Sequence, residues 1–162
     1  MLWNFIKPVL IFIPLAAVQL VVIPFITVQN INPNLIIVLI VFYTLLNGQL
    51  YGTILGFVLG FLFDLVSGGL LGGFMFAFML SGFIAGYFYN DNKRDINTSS
   101  FALSVIVLLC ATISIFVYST ITNSNTDVRV IYQIVEDGIL PGIFTAIFSI
   151  PIVILNPRKG IE

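Results

Sequence analysis

Long apolar runs separated by short polar turns divide the sequence. The first run spans residues 8–28 and ends at a polar turn over residues 29–33. A membrane-crossing helix needs about 20 apolar residues, so this run predicts a first span. No small-x-small cleavage pattern follows it, and we therefore interpret it as a retained helix rather than as a signal peptide.

The next apolar run, residues 35–66, is too long to be one span. As a single helix it would extend about 48 Å at ~1.5 Å per residue, whereas the hydrocarbon core is ~30 Å thick. The Asn47-Gly48 pair is typical of a helix break, and it divides the run into spans over residues 34–47 and 49–66. Because the first of these is short for a bilayer, we expect it to pack inside the bundle or to thin the bilayer locally.

Three more apolar runs complete a six-span pattern. Residues 67–69 form the next turn, residues 90–97 are the densest polar stretch, and residues 129–137 have the two faces of a short interfacial helix. The spans separated by these segments are predicted over residues 71–89, 100–121 and 138–155. The pattern thus predicts one domain over residues 1–162, an all-α integral membrane protein with six transmembrane helices and short loops.

The basic residues predict the orientation of this bundle. Cytoplasmic loops of membrane proteins are enriched in lysine and arginine. With the N-terminus inside, six spans leave only Arg129 outside and place five basic residues in the cytoplasm, namely Lys7, Lys93, Arg94, Arg158 and Lys159. A five-span arrangement gives at best four inside against two outside. We therefore predict that both termini are cytoplasmic.

Composition narrows the possible functions. The chain has 162 residues, of which 59% are hydrophobic and 8% charged, whereas soluble domains carry about 25% charged residues. Its net charge of −1 gives no reason to expect a nucleic-acid partner. Histidine is absent and Cys110 is the one cysteine, which excludes a histidine base, a Cys/His metal site and an intramolecular disulfide. We expect Cys110 to be a packing residue, and we expect neither catalysis nor a cofactor.

A glycine ladder with a four-residue period is the sharpest pattern in the chain. Residues four apart lie on one face of a helix, so the ladder predicts a groove without side chains, which another helix can approach closely. The ladder consists of Gly48, Gly52, Gly56 and Gly60, continued by Asp64, Gly68 and Gly72. Two interpretations stay open. The groove either packs internally against span 2 or span 6, or it is a docking face for the helix of a partner.

Asp64 is the one ionisable residue well inside an apolar run. A carboxylate at the bilayer centre costs about 2.5–3.5 kcal/mol, but Asp64 lies three residues before the turn at Ser67, which lowers this cost. In one interpretation it accepts hydrogen bonds from the N–H groups that open the next helix, as a cap does. In the other it has a partner-binding or proton-handling role. The acidic pair Glu136 and Asp137 is expected to be solvated at the same surface.

Stretches between residues 32 and 87 carry a resemblance to a known family. The string that resembles the core of the bacterial rod-shape-determining membrane protein MreD is Gly56-Phe57-x-x-Gly60-x-x-x-Asp64-x-x-Ser67-Gly68-x-x-x-Gly72. Asn32-Pro33-Asn34-Leu35, followed by Phe42-Tyr43, resembles the entry to the second helix of that family. Gly82-Phe83-Ile84-Ala85-Gly86 resembles the glycine and aromatic stretch of its fourth helix. The length and the Arg158-Lys159 ending also agree. Before Pro141 the family often carries a neutral amide, whereas this chain has Glu136 and Asp137, so no role is carried over to that corner.

The resemblance implies a non-enzymatic, multi-pass subunit of the bacterial inner membrane, within the machinery that elongates the peptidoglycan wall. Such a subunit binds the single-span protein MreC, and through it joins the MreB filament to the RodA glycosyltransferase and a penicillin-binding transpeptidase. Membrane lipid surrounds it. The residues that we expect to form its partner-binding or packing face are Gly52, Gly56, Gly60, Asp64, Ser67, Gly68 and Gly72.

Two other functions compete with the scaffold interpretation. The family is similar in fold to substrate-binding subunits of energy-coupling-factor vitamin transporters, which couple through small residues spaced four apart on the first helix. Here Ala16 and Ala17 are followed at that spacing by Leu20 and Val21, so this coupling face is absent. We also expect the outer half of the bundle to offer few of the polar groups that a binding pocket needs. A lipid-precursor flippase would need basic residues in a cavity, which the spans lack. The scaffold interpretation is therefore favoured, with the vitamin subunit as the alternative.

Overall fold

The computed structural model describes residues 2–26, 32–90, 100–122 and 139–154, and this part of the chain is helical, with no strand. The predicted interfacial helix over residues 129–137, its acidic pair and every basic residue except Lys7 lie outside the described residues. The helices are α1 (Leu2–Val21), α2 (Ile23–Ile26), α3 (Leu35–Asn47), α4 (Gln49–Ser67), α5 (Gly73–Gly86), α6 (Ser100–Thr122) and α7 (Leu140–Ile154). The predicted all-α class is confirmed.

The long apolar run divides into α3 and α4 at Gly48. This residue has φ 99°, a left-handed conformation that glycine adopts without steric cost. Its N–H donates to the Thr44 carbonyl at 2.8 Å, which closes the last turn of α3. The helix break is therefore at the position predicted from the Asn47-Gly48 pair.

Helix α3 is the centre of the bundle. Its consecutive residues Ile36–Val41 are all buried, as in a helix that is surrounded on every side. Helices α1, α4, α5, α6 and α7 all pack on it, and each also packs on the next one in that order. The ring is loosest between its last and first members, because α7 and α1 are not among the closely packed helix pairs in the described part of the chain. The expectation that span 2 packs inside the bundle is confirmed.

The central helix is shorter than its neighbours. Helix α3 has 13 residues, α4 has 19 and α6 has 23, or about 20, 28 and 34 Å at ~1.5 Å per residue. Since α3 and α4 meet at Gly48, the first turn of α3 lies about 9 Å below the far end of α4. We call the side of the bundle with Asn34, Ser67 and Thr122 the outer end, following the predicted orientation. A recess lies there, above the start of α3.

Three stretches of the described chain are long and apolar enough to cross a membrane, namely Ile6–Phe25, Gln49–Ser67 and Ala102–Thr122. Helices α3 and α5 are apolar but shorter, at 13 and 14 residues. The six crossings and the location of the termini therefore remain predictions.

Candidate functional site

The carboxylate of Asp64 organises the outer end of α4 and α5. Its Oδ2 accepts hydrogen bonds from the N–H of Gly72 at 2.9 Å and of Met75 at 3.0 Å, and its Oδ1 accepts one from Phe74 at 3.1 Å. The N-cap position of α5 is Gly72, which has no side chain to make such bonds. Asp64 is 2% exposed, and its negative charge faces the positive end of the helix dipole. The predicted cap hydrogen bonds are confirmed.

The loop between α4 and α5, residues 68–72, has a shape that only glycine adopts easily. Gly68 and Gly72 both lie in the left-handed region, at φ 67° and 101°, where other residues are strained. The Ser67 hydroxyl donates to the Asp64 carbonyl at 3.5 Å. Leu70 and Leu71 are 53% and 67% exposed. The loop therefore presents two leucine side chains on a backbone held by Asp64; we call it the outer loop.

The glycine groove of α4 is filled by α5. A Cβ added to Gly56 would overlap the Phe78 carbonyl, and one added to Gly60 would lie 2.5 Å from the Met75 Cα. The fit is reciprocal, because a Cβ on Gly82 of α5 would overlap the backbone of Gly52. Backbones can approach this closely only where both helices carry small residues.

This packing corrects the predicted neighbours of the groove. Span 2 contributes Thr44, which would overlap a Cβ added to Gly52, whereas α5 rather than span 6 lies against Gly56 and Gly60. The outer loop is short, so α4 and α5 are antiparallel neighbours whose glycines face each other. The predicted site residues thus separate into a packing set, Gly52, Gly56 and Gly60, and a loop set held by Asp64.

A cavity of about 470 Å³ lies at the outer end, above the first turn of α3. None of the described residues of its wall is charged; they are Gln19, Leu20, Ile23, Pro24, Asn32, Asn34, Phe63, Ser67, Phe74, Ile115, Tyr118, Ser119, Thr122 and Pro141. Seven of these residues are uncharged and polar, so the expectation of few polar groups in the outer half was wrong. They come from α1, the segment before α3, α4 and α6, and meet only in the folded bundle.

Gln19 ties α1 to the start of α3 at the cavity wall. Its Nε2 donates to the Pro33 carbonyl at 2.8 Å, and its Oε1 accepts from the Leu35 N–H at 3.0 Å. Both are backbone groups of the Asn32–Leu35 motif that would otherwise be unpaired before a helix. Sequence reasoning missed this role, although Gln19 is the one amide side chain in the first apolar run.

Asn34 joins the same junction to α7. Its Oδ1 accepts from the N–H groups of Ile36 at 3.2 Å and Ile37 at 3.4 Å, which makes it the N-cap of α3. Its own N–H donates to the Thr145 hydroxyl at 2.9 Å, and that hydroxyl donates to the Pro141 carbonyl at 2.7 Å. The motif thus fixes α1, α3 and α7 relative to one another.

A second polar contact joins α5 and α6 deeper in the bundle. The hydroxyls of Ser81 and Ser114 are hydrogen-bonded to each other, and Ser114 also donates to the Cys110 carbonyl at 2.7 Å. The Cys110 thiol is buried and donates to the Ser81 carbonyl at 3.7 Å. These bonds hold the two helices together, and the packing role predicted for Cys110 agrees with them.

The fold and these motifs can be compared with known protein families. A sequence model of the family described as rod shape-determining protein MreD matches residues 2–158. The chain belongs to the MreD family. No curated protein and no solved structure matches the chain. The family match extends the resemblance from residues 32–87 to nearly the whole chain, including α1 with Gln19 and α7 with Thr145.

Membership of the MreD family gives the chain a role in rod-shape determination. MreD proteins are membrane proteins and shape-determining components, and they are not known as enzymes. In this member, two of the MreD-like motifs shape the outer end. The Asn32–Leu35 motif forms the floor of the cavity, and Asp64 with Gly68 and Gly72 forms the loop beside it.

Proposed function

We propose that this MreD-family chain is a non-catalytic, multi-pass scaffold of the bacterial inner membrane that binds an MreC-like single-span partner. Through this partner it links an MreB filament to a RodA-type glycosyltransferase and a penicillin-binding transpeptidase during wall elongation. The observation that carries the proposal is the family match over residues 2–158. Six helices of 13 residues or more in the described chain and the five-to-one bias of basic residues support six spans with cytoplasmic termini.

We assign the contact with the partner to the outer end of the bundle. The glycine groove is filled by α5, so a partner helix would have to displace an internal helix in order to use it. The outer loop is accessible, since Leu70 and Leu71 are largely exposed. Asp64 accepts hydrogen bonds from Gly72 at the end of this loop and from the first turn of α5, which fixes the point at which the loop enters α5 and so restricts the geometry of the two leucines. Pre-organised apolar side chains of this kind favour specific docking.

Co-purification tests the proposal. The tagged chain is solubilised from membranes that also contain the MreC-like protein, as wild type and as the double variant Leu70→Ser/Leu71→Ser. The matched control is Leu50→Ser, because Leu50 is 75% exposed but lies at the opposite end of α4. We expect the wild type and the control to retain the partner and the double variant to lose it with unchanged thermal stability. Equal recovery of the partner by the double variant would contradict the assignment to the outer loop.

The cavity supports one alternative function, a substrate-binding subunit of a vitamin uptake transporter. A volume of about 470 Å³ is within the range of small-molecule pockets. Against this, Ala16 is 5% exposed and belongs to the core, so it offers no small-residue surface for coupling to another subunit. Mass spectrometry of the purified chain decides between the two. A vitamin bound in a one-to-one ratio would replace the scaffold proposal, and we expect none.

A further inference from the structure

The outer cavity exists because the central helix is short. Helix α3 starts at Leu35, below the outer ends of α4 and α6, and the missing turns leave the space that the wall residues surround. Part of the wall is aliphatic or aromatic. Leu20 and Ile23 line it from α1 and α2, Phe63 from α4 and Ile115 from α6. A cavity with such walls is unfavourable to leave empty, because the lining atoms lose dispersion contacts.

The polar groups of the wall are largely occupied by the protein itself. Both ends of the Gln19 amide are bonded to backbone groups, Asn34 Oδ1 caps α3, and the Thr122 hydroxyl donates to the Tyr118 carbonyl at 2.9 Å. In the described part of the chain, no buried side-chain nitrogen or oxygen lacks a hydrogen-bond partner. A ligand rich in hydrogen-bonding groups therefore finds few free partners here, whereas a hydrocarbon chain needs none.

The cavity lies beside the loosest part of the helix ring. Gln19, Leu20 and Ile23 line it from α1 and α2, and Pro141 lines it from α7. These two flanks are not closely packed on each other in the described residues. Among the described residues, the cavity therefore has a side between α1 and α7 by which a chain from the surrounding leaflet can reach it.

We propose that, in the protein without its partner, a hydrocarbon chain of an outer-leaflet lipid occupies the outer cavity. The proposal rests on the membrane-spanning arrangement described above and is independent of the MreC-like partner. The occupant enters between α1 and α7 and packs on the apolar part of the wall. Its headgroup stays at the membrane surface, since none of the described wall residues carries a charge to bind it.

Fluorescence quenching by brominated lipids tests this occupancy in the isolated chain. Trp3 is the one tryptophan, so the variants are built in a Trp3→Phe background. Tyr118→Trp places an indole at the cavity wall, Phe116→Trp places one on the exposed face of the same helix, and Phe12→Trp places one in the core. Each is reconstituted in phosphatidylcholine vesicles with or without bromine on the acyl chains.

We expect brominated chains to quench the fluorescence of Tyr118→Trp and of Phe116→Trp by similar fractions. The fluorescence of Phe12→Trp should be quenched much less. Iodide added in the water should have little effect on Tyr118→Trp. Strong quenching by iodide with no effect of brominated chains would overturn the proposal, because the cavity would then be filled with water. These measurements contain no partner protein, so they cannot fail through a failure of partner docking.

A variant that fills the cavity gives a second readout. Native mass spectrometry of the wild-type chain should show one retained phospholipid, and Ile115→Trp should lose it because Ile115 lines the cavity. Phe116→Trp, which adds an indole to the neighbouring lipid-facing position, should keep it. Equal lipid retention in both variants would contradict binding in the cavity.

Discussion

The Asp64 carboxylate accepts a 2.9 Å hydrogen bond from the backbone N–H of Gly72, eight residues further along the chain. This bond joins the last full turn of α4 to the N-cap position of α5. It lies beneath the outer loop, so the charge of Asp64 is used to hold a backbone shape at the outer end. The contact with the partner that we propose depends on that shape rather than on the carboxylate itself.

Replacement of Asp64 should therefore destabilise the loop in proportion to the acceptors that are lost. Asp64→Ala leaves three N–H groups without their acceptor, and each unsatisfied buried group costs about 1–3 kcal/mol. Asp64→Asn keeps one oxygen and should cost clearly less. Thermal unfolding in detergent should give melting temperatures in the order wild type, Asp64→Asn, Asp64→Ala. Equal values for all three would show that the hydrogen bonds do not stabilise the fold.

The glycine groove should be sensitive to a single methyl group. Gly56→Ala places a Cβ against the Phe78 carbonyl, so α4 and α5 must separate, and the melting temperature should fall. The matched control is Gly69→Ala, whose nearest neighbour would be 3.6 Å from the new Cβ and whose φ is not positive.

The control should melt like the wild type. The larger substitution Gly56→Leu gives the opposing test. If it left the melting temperature unchanged while abolishing recovery of the partner, the groove would be a docking face and the internal packing interpretation would be wrong.

Gln19 should be required for the attachment of α1 to the start of α3. Gln19→Met keeps the length of the side chain but leaves the Pro33 carbonyl and the Leu35 N–H without their hydrogen bonds, at about 1–3 kcal/mol each. We expect a lower melting temperature and faster hydrogen exchange at Leu35. Gln19→Glu retains an acceptor for the Leu35 N–H and should preserve more of that protection. Wild-type exchange in Gln19→Met would refute this role.

Labelling of single cysteines should establish the topology. In a Cys110→Ala background, Ser67→Cys should react with a membrane-impermeant reagent from outside the cell. Asn92→Cys should react only after the membrane is opened. Reaction of both positions from the same side would end the six-span arrangement, because they would then not be separated by a membrane crossing.

Local features of the bundle could be predicted from the sequence, whereas contacts between residues far apart in the sequence could not. The break at Gly48 and the cap made by Asp64 each depend on residues within about a dozen positions of each other. The residue types in those short stretches are enough to indicate them. The neighbour of Gly56 could not be identified, because the ladder shows only that some helix can approach. The contacts of Gln19 with Pro33 and of Asn34 with Thr145 depend on how the helices assemble, and a lone polar residue in an apolar run does not indicate its partner.

Photocrosslinking in living cells tests the central claim most directly. A photoreactive amino acid is introduced at position 70 or 71 in the outer loop, or at position 50 at the opposite end of α4, in a chain that still supports rod shape. We predict that crosslinks to the MreC-like partner form from the outer-loop positions and not from position 50. Crosslinks to the partner from position 50 alone would contradict the assignment of the contact to the outer end.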